Sequence, residues 1–346
     1  MEYRLLGQTG LYVSALSLGT MGYGGGNGFW KNIGDLEIEE VKAQMAQAVD
    51  AGVNLIDTAD YYSAGGSEEM LGAALEALGL DRSSILISTK ARLRVGPGPN
   101  DVGNTRHHLV NQVEASLRRL RTDHIDIYYL HGVDTLTPIE ETLRALDDLI
   151  RAGKIRYIGL SNFPAWRIMK ALGAAERLSL PRVAAAQMYY SMVGRDIERE
   201  IVPLAEAERV GVVAWSPLAG GFLARTEQPN AATRRDVFAF PPVDEEEGAA
   251  ARAALAEVAA RTGASPAAIS LAWVLSRPAV ASVTIGGRTK EQLAETLRAA
   301  DLKLSPEDLA VLDAATAPRP AYPGWMEARQ GADRSPDATS IAVLKD

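Results

Sequence analysis

Three short apolar runs in this 346-residue chain each lead into an ionisable side chain. Val53-Asn54-Leu55-Ile56 leads into Asp57, Ile85-Leu86-Ile87-Ser88-Thr89 into Lys90, and Ile127-Tyr128-Tyr129-Leu130 into His131. Tyr62 lies in the loop beyond the acid, close enough in sequence to lean back over it. A lone Asp or Lys after such a run is most simply a solvated loop start or a satisfied buried polar group. An acid, an amine and an imidazole delivered to one face by separate runs point instead to a constellation, which the phenol of Tyr62 joins from the loop beyond the acid. The chemistry open to it is carbonyl reduction by hydride. A phenol of ordinary pKa about 10 protonates the developing alkoxide better when a cation favours its ionised form. Lys90 would be that cation, and Asp57 would keep the ammonium charged and oriented. His131 would donate a hydrogen bond to the carbonyl oxygen.

Such a set needs strands that end at a common face, and the chain supplies a repeating rhythm of short apolar runs and longer amphipathic segments. The runs expected as strands are Ala15 to Leu18, Val53 to Ile56, Ile85 to Ser88, Ile125 to Leu130, Tyr157 to Leu160, Val183 to Ala186, Val212 to Trp215 and Ser282 to Ile285. Helices are expected over Ile38 to Ala51, Ser67 to Leu78, Arg106 to Leu120, Ile139 to Arg151, Ala165 to Glu176 and Ile197 to Arg209, with more after Val243. Right-handed parallel connections then close an α/β fold, a (β/α)8 TIM barrel with chemistry at the carboxyl ends of its strands. An open doubly wound sheet gives a similar rhythm and is the structural competitor. Ahead of the first strand, Tyr3 to Leu6 and Leu11 to Val13 flank Gly7-Gln8-Thr9-Gly10, which predicts an N-terminal β-hairpin over the barrel floor. Residues 1–318 form one barrel domain on this reading, and 319–346 a tail partly disordered toward Asp346. The insertion from Ala219 to Val243 interrupts the rhythm after the seventh strand, a common place for a functional lid.

Composition removes several classes of function. Hydrophobic residues at 47% and charged residues at 23% describe an ordinary globular chain, not a disordered or fibrous one. A formal charge of -8 has the wrong sign for a nucleic-acid partner. The absence of cysteine excludes disulfides, thiolate metal sites and cysteine nucleophiles together. Met1 to Leu18 lacks the apolar stretch of a signal peptide and no segment has membrane-spanning length, so no membrane partner is expected and the cytoplasm is the default address. Oligomeric state is open.

The same residues carry a resemblance to a known family. Asp57-Thr58-Ala59-Asp60-Tyr61-Tyr62, then Ser67-Glu68-Glu69-Met70-Leu71-Gly72, Lys90 and His131 together resemble the aldo-keto reductase signature. The likeness continues in order through Gly159-Leu160-Ser161-Asn162-Phe163, Gln187, Trp215-Ser216-Pro217-Leu218 and Ile285-Gly286-Gly287-Arg288. It implies a (β/α)8 fold that binds NADPH/NADP without a Rossmann domain. It also implies reduction of a small carbonyl substrate, with Tyr62 as acid, Lys90 and Asp57 as its support, and His131 as orienter. By the same resemblance Ser161, Asn162 and Gln187 would hold the nicotinamide carboxamide, and Trp215, where the family more often has Tyr, would stack on its ring. Gly19, Thr20 and Met21 would lie near the nicotinamide, as would Asp57. Ser216, Pro217, Leu218, Gly220 and Leu223 would cross the pyrophosphate. Ile285, Gly287, Arg288 and Gln292 would take the adenosine end, with Arg288 on the 2′-phosphate. Thr296 stands where similar sequences carry Asn.

Other signals have simpler readings. Gly22-Tyr23-Gly24-Gly25-Gly26-Asn27-Gly28 fits no phosphate-loop register and suggests a mobile loop at the mouth. Phe29, Trp30, Tyr61 and Trp325 either collar the substrate or pack the rim. His107 and His108 suit the start of a helix or solvent better than a metal site, and Asp244-Glu245-Glu246-Glu247 suits a first helical turn. Two further functions stand beside the reductase: an NADPH-binding redox-sensing subunit with little turnover, and a metal-assisted barrel hydrolase or isomerase built on Asp57 and His131.

Overall fold

The computed structural model describes residues 1–346 apart from 27, 35, 225–234, 236–237 and 333–346. Two short strands, β1 (Tyr3–Leu5) and β2 (Tyr12–Ser14), form an antiparallel hairpin. The barrel strands follow as β3 (Leu16–Gly19), β4 (Leu55–Asp57), β5 (Leu86–Ala91), β6 (Ile125–Leu130), β7 (Ile155–Ser161), β8 (Val183–Tyr189), β9 (Gly211–Trp215) and β10 (Val280–Ile285). Each is parallel to the next, and β10 pairs with both β9 and β3, so the sheet closes. Among the described residues this is an eight-stranded (β/α)8 barrel, and the open-sheet competitor is excluded.

Helices α1 (Phe29–Ile33), α2 (Ile38–Asp50), α3 (Gly66–Ala77), α4 (Arg106–Leu120), α5 (Ile139–Arg151), α6 (Ala165–Arg177) and α7 (Ile201–Glu208) occupy the six connections from β3 to β9, α1 and α2 sharing the first. After them come α8 (Glu245–Thr262), α9 (Pro266–Leu275), α10 (Lys290–Leu297), α11 (Pro306–Ala315) and α12 (Gly324–Ala332). The pattern of α5 explains its place. Leu143, Leu146 and Leu149 recur at helical spacing and are buried, while Glu140 and Glu141 in the first turn and Arg151 in the last complement the dipole. All six residues of β6 are buried, as a strand covered on both faces requires.

Two expectations change. Several strands continue past the first polar residue: β5 includes Lys90, β7 includes Ser161 and β8 includes Gln187. Backbone pairing holds them there, Lys90 opposite Tyr129 and Gln187 opposite Val213, because inward polar side chains find partners inside the barrel. The helix expected over Ile197 to Arg209 is split into a 3₁₀ turn, Asp196–Glu198, and α7. Pro203 accounts for the break, since in a continuous helix its ring would strike the Arg199 carbonyl. Ahead of α1, Tyr23 forms a parallel bridge with Leu36, and its side chain is buried.

The hairpin seals one end of the barrel. Leu6 and Val13 pack with Leu55, Ile127, Tyr129, Ala185, Val213 and Ala281. Gly7 has φ +61°, and a Cβ there would lie 2.4 Å from the Arg209 carbonyl oxygen and 2.8 Å from that of Ala184. Part of the 219–243 insertion and the tail toward Asp346 lie outside the described residues. No single helix among the described residues is long and apolar enough to cross a membrane.

Candidate active site

The four residues singled out at the strand ends meet at the mouth opposite the hairpin. Strand alternation turns Ser88 and Lys90 inward and Thr89 outward. Lys90 is fully buried, and its Nζ donates to Asp57 Oδ2 and to the Thr58 carbonyl oxygen, each at 2.6 Å. Asp57 Oδ1 accepts from Ser88 Oγ at 2.6 Å and from Gln187 Nε2 at 2.9 Å. Lys90 Nζ lies 5.1 Å from the Tyr62 ring centroid, and the Tyr62 and His131 rings meet edge to face at 5.8 Å. Burial alone would pull the Lys90 ammonium down, but the neighbouring Asp57 and Tyr62 outweigh it and hold the group above the ordinary lysine value. His131 is only partly covered, yet its Nδ1 is buried with no partner among the described residues. Burial, then the charges of Lys90 and Arg92, push the imidazole well below its ordinary value, so it is neutral at neutral pH. A phenol beside a buried ammonium, with a neutral imidazole facing it, can donate a proton to an oxyanion.

Backbone strain gathers at the same mouth. Ser63 and Ala64, directly after Tyr62, have φ of 50° and 54°, and Asn162, Ser216 and Ala219 beyond the ends of β7 and β9 have φ of 59°, 52° and 50°. Left-handed non-glycine residues cost of order 1–3 kcal/mol each and persist where surrounding contacts enforce them. The contacts are visible here: Ser63 Oγ donates to the Tyr23 carbonyl oxygen at 2.8 Å, and Asn162 Nδ2 to that of His131 at 3.2 Å.

The residues expected to hold a dinucleotide ring this mouth. Gly19 ends β3, Thr20 is fully buried beneath it, and Met21 is half-buried. Asn162 Nδ2 lies 3.1 Å from Ser161 Oγ, and Asn162 Oδ1 accepts from Trp215 Nε1 at 3.0 Å. Gln187 reaches the group through Asp57. Ser216 Oγ accepts from the Gly220 amide at 3.1 Å, tightening the turn after β9; Leu218 is half-buried, and Pro217 and Leu223 are buried. Past Ile285, the exposed Arg288 precedes α10, whose N-cap Thr289 accepts from the Gln292 amide, while Gln292 Oε1 accepts from the Arg288 amide. Gly287 is required there, because a Cβ would lie 2.9 Å from the Leu293 nitrogen. Thr296 turns into its own helix, its hydroxyl donating to the Leu293 carbonyl oxygen at 2.9 Å. A guanidinium beside a helix N-terminus, as at Arg288 and α10, is a donor set that would suit an anionic phosphate.

Aromatic side chains collar the pit. Trp30 meets Tyr61 at 5.3 Å, Tyr62 at 6.0 Å and Phe29 at 5.3 Å. Trp325 pairs with Tyr322, and no aromatic contact joins it to this collar among the described residues. Sequence reasoning missed Phe238 and Phe240. Phe238 contacts Phe29 at 5.1 Å, and Phe240 stacks on Trp215 at 5.8 Å with an interplanar angle of 14°. It also passed over Ser88, although the i, i+2 spacing to Lys90 was available as a signal. Asp60 is a further buried acid, its amide donating to the Lys90 carbonyl oxygen at 3.0 Å; burial, then the nearby Glu68, push it well above the carboxylate range.

The remaining signals resolve locally. His107 and His108 lie in the first turn of α4, capped by Thr105, and no group of three metal-ligating side chains occurs among the described residues. Asp244 caps α8 by accepting from the Glu246 and Glu247 amides.

Comparison with known proteins agrees with the fold. The sequence model of the Aldo/keto reductase family matches residues 15–317. The chain is 36% identical to the Uncharacterized oxidoreductase YrpG of Bacillus subtilis, covering 90% of this chain and 95% of that protein. It is 37% identical to a Probable voltage-gated potassium channel subunit beta of Arabidopsis thaliana, over 87% and 92% of the two chains. It is 34% identical to the Versiconal hemiacetal acetate reductase of Aspergillus parasiticus, over 94% and 99%. With a closed barrel, a converged tetrad and a match across nearly its whole length, the chain belongs to the aldo/keto reductase family.

Proposed function

We propose that this protein reduces aldehydes or ketones to alcohols with NADPH, Tyr62 acting as the proton donor. One observation carries the reading: a fully buried ammonium, tied to Asp57 at 2.6 Å, lies 5.1 Å from the Tyr62 ring centroid. NADPH, when bound, supplies the hydride. Tyr62 gives its proton to the carbonyl oxygen as negative charge develops there. Lys90 stabilises the phenolate left behind, and Asp57 keeps that ammonium charged and aimed. The neutral His131 donates a hydrogen bond to the same oxygen and fixes which face of the carbonyl is presented. Ser161, Asn162 and Gln187 would hold the nicotinamide amide, Trp215 its ring and Arg288 the 2′-phosphate. Phe29, Trp30 and Tyr61 would exclude water above the reacting carbon. A relative named Putative aryl-alcohol dehydrogenase, beside reductases named for versiconal hemiacetal acetate and norsolorinic acid, makes aryl aldehydes and ketones the first substrates to try.

The test is loss of NADPH absorbance with a panel of aldehydes and ketones. Tyr62→Phe is expected to lose about 10²- to 10⁴-fold in rate while still binding NADPH, followed by quenching of tryptophan fluorescence. Full activity in that variant would remove Tyr62 from the role. The relative named a potassium channel subunit beta supports a second reading, a cofactor-binding subunit with little turnover. Tight NADPH binding with negligible reduction across the panel would favour it.

A further inference from the structure

Ser67 and Glu68 open α3 and are both fully buried. Ser67 does not cap its helix, for the N-cap position belongs to Gly65 and no side-chain cap bond forms there. Its hydroxyl instead donates to the Thr20 carbonyl oxygen at 2.8 Å and lies 2.8 Å from Thr20 Oγ1 and 3.1 Å from Thr58 Oγ1. Glu68 Oε1 accepts from Thr89 Oγ1 at 2.5 Å, and Oε2 from Arg119 Nε at 2.6 Å. Arg119 comes from α4 at its closest approach to α3, where a Cβ on Gly72 would lie 2.5 Å from the Arg119 carbonyl oxygen. Three threonines thus answer to two adjacent residues, and each is a chain neighbour of a site residue. Thr20 sits between Gly19 and Met21, Thr58 follows Asp57, and Thr89 precedes Lys90. A helix that needed only to pack on the barrel would cover it more cheaply with apolar side chains, since buried polar groups cost free energy unless every one is satisfied.

We propose that Ser67 and Glu68 are positioning residues, a latch in the first turn of α3 that sets the ends of β3, β4 and β5 in register and so aligns Tyr62, Asp57 and Lys90 with the Gly19–Met21 segment. For what is being aligned, this rests on the reductase reading. Strand alternation makes the latch possible: Thr89 points outward to Glu68 because Lys90 points inward, so a pull on one moves the other. The loop from Thr58 to Tyr62 is stitched to the same strand by the Thr58 amide on the Ser88 carbonyl oxygen at 2.9 Å and the Asp60 amide on that of Lys90 at 3.0 Å.

The experiment uses the full chain with Ser67→Ala and Thr89→Val, which remove one hydroxyl at each end of the latch with little change of volume. Ser270→Ala is the control, an equally buried hydroxyl on α9 that donates to the Pro266 carbonyl oxygen at 2.7 Å. Below all the melting temperatures, each latch variant is expected to lose about tenfold or more in kcat, as displacement of reacting groups by a fraction of an ångström does. Carbonyl KM and the fluorescence-measured Kd for NADPH should stay within about threefold of wild type. A second readout needs no turnover: the ultraviolet titration of Tyr62, taken as the difference between each protein and its Tyr62→Phe form, should move to higher pH in the latch variants only. Unchanged kcat and titration in both, or an equal loss in Ser270→Ala, overturns the proposal. A wild-type chain that reduces no carbonyl removes the reductase reading and leaves the decision to the titration, where a shift sustains the latch and no shift ends it.

Discussion

Asp57→Asn isolates one charge with almost no change of shape. The amide oxygen can still accept from Ser88 and Gln187, but Lys90 loses the anion 2.6 Å from its Nζ while remaining fully buried. Removing one partner of a buried pair costs about 3–5 kcal/mol. Unfolding entropy for a chain of this length is about 0.7 kcal/mol per kelvin, so Tm at pH 7 should fall by roughly 4–7 °C. The pH dependence is the sharper test. In the wild type Lys90 sits above its ordinary value, so its contribution is complete below the unfolded-state value of about 10.4 and fades only as pH climbs through the higher native value. In the variant, burial drives the native value below that of the unfolded chain. The unfolded state then binds the extra proton, and stability rises with pH. Thermal unfolding followed by circular dichroism at pH 7 and at about pH 9.5 should therefore show the deficit shrinking. A deficit that is constant or widens with pH would refute the assignment of Lys90 as a buried cation held by Asp57.

Arg288→Ala should weaken NADPH binding by about 10- to 100-fold, the worth of a charge-assisted contact, and leave NADH nearly unaffected; fluorescence titration with both nucleotides checks this. Because His131 is held neutral, kcat/KM for reduction should show no inflection near pH 6.5, and an inflection that vanishes in His131→Gln would contradict that. Gly159→Ala places a Cβ 2.2 Å from the Tyr129 ring inside the barrel and should cost about 1–3 kcal/mol in urea unfolding, with no such loss if the ring can move aside.

The barrel was legible because its strands are continuous apolar runs separated by helical periodicity, and the tetrad because three of its members directly follow such runs and the fourth, Tyr62, lies five residues past Asp57. Strand ends were less legible. Polarity at Lys90, Ser161 and Gln187 looks like the start of a loop, yet the ladder continues through them because their side chains bond inside the barrel. Pro203 carried the information that splits the helix before α7, though periodicity ran across it. Phe238 and Phe240 had no periodic signal; their part in the site rests on long-range contacts with Phe29 and Trp215. The task of Ser67 was hidden for another reason. A serine near a helix start suggests capping, and only the fold shows that its hydroxyl faces the ends of other strands instead.

Among the described residues, left-handed backbone at non-glycine positions includes two kinds of place with opposite implications for anyone wishing to harden the chain against heat. At Arg121 and Arg209 it merely terminates helices, where glycine is the residue best suited to the turn, so exchange there should recover about 1 kcal/mol apiece at no catalytic risk. At Ser63, Ala64, Asn162 and Ser216 the same conformation shapes the loops that flank Tyr62 and the ends of β7 and β9. Relaxing those positions would trade activity for robustness, which makes the rim the wrong place and the helix ends the right place to begin.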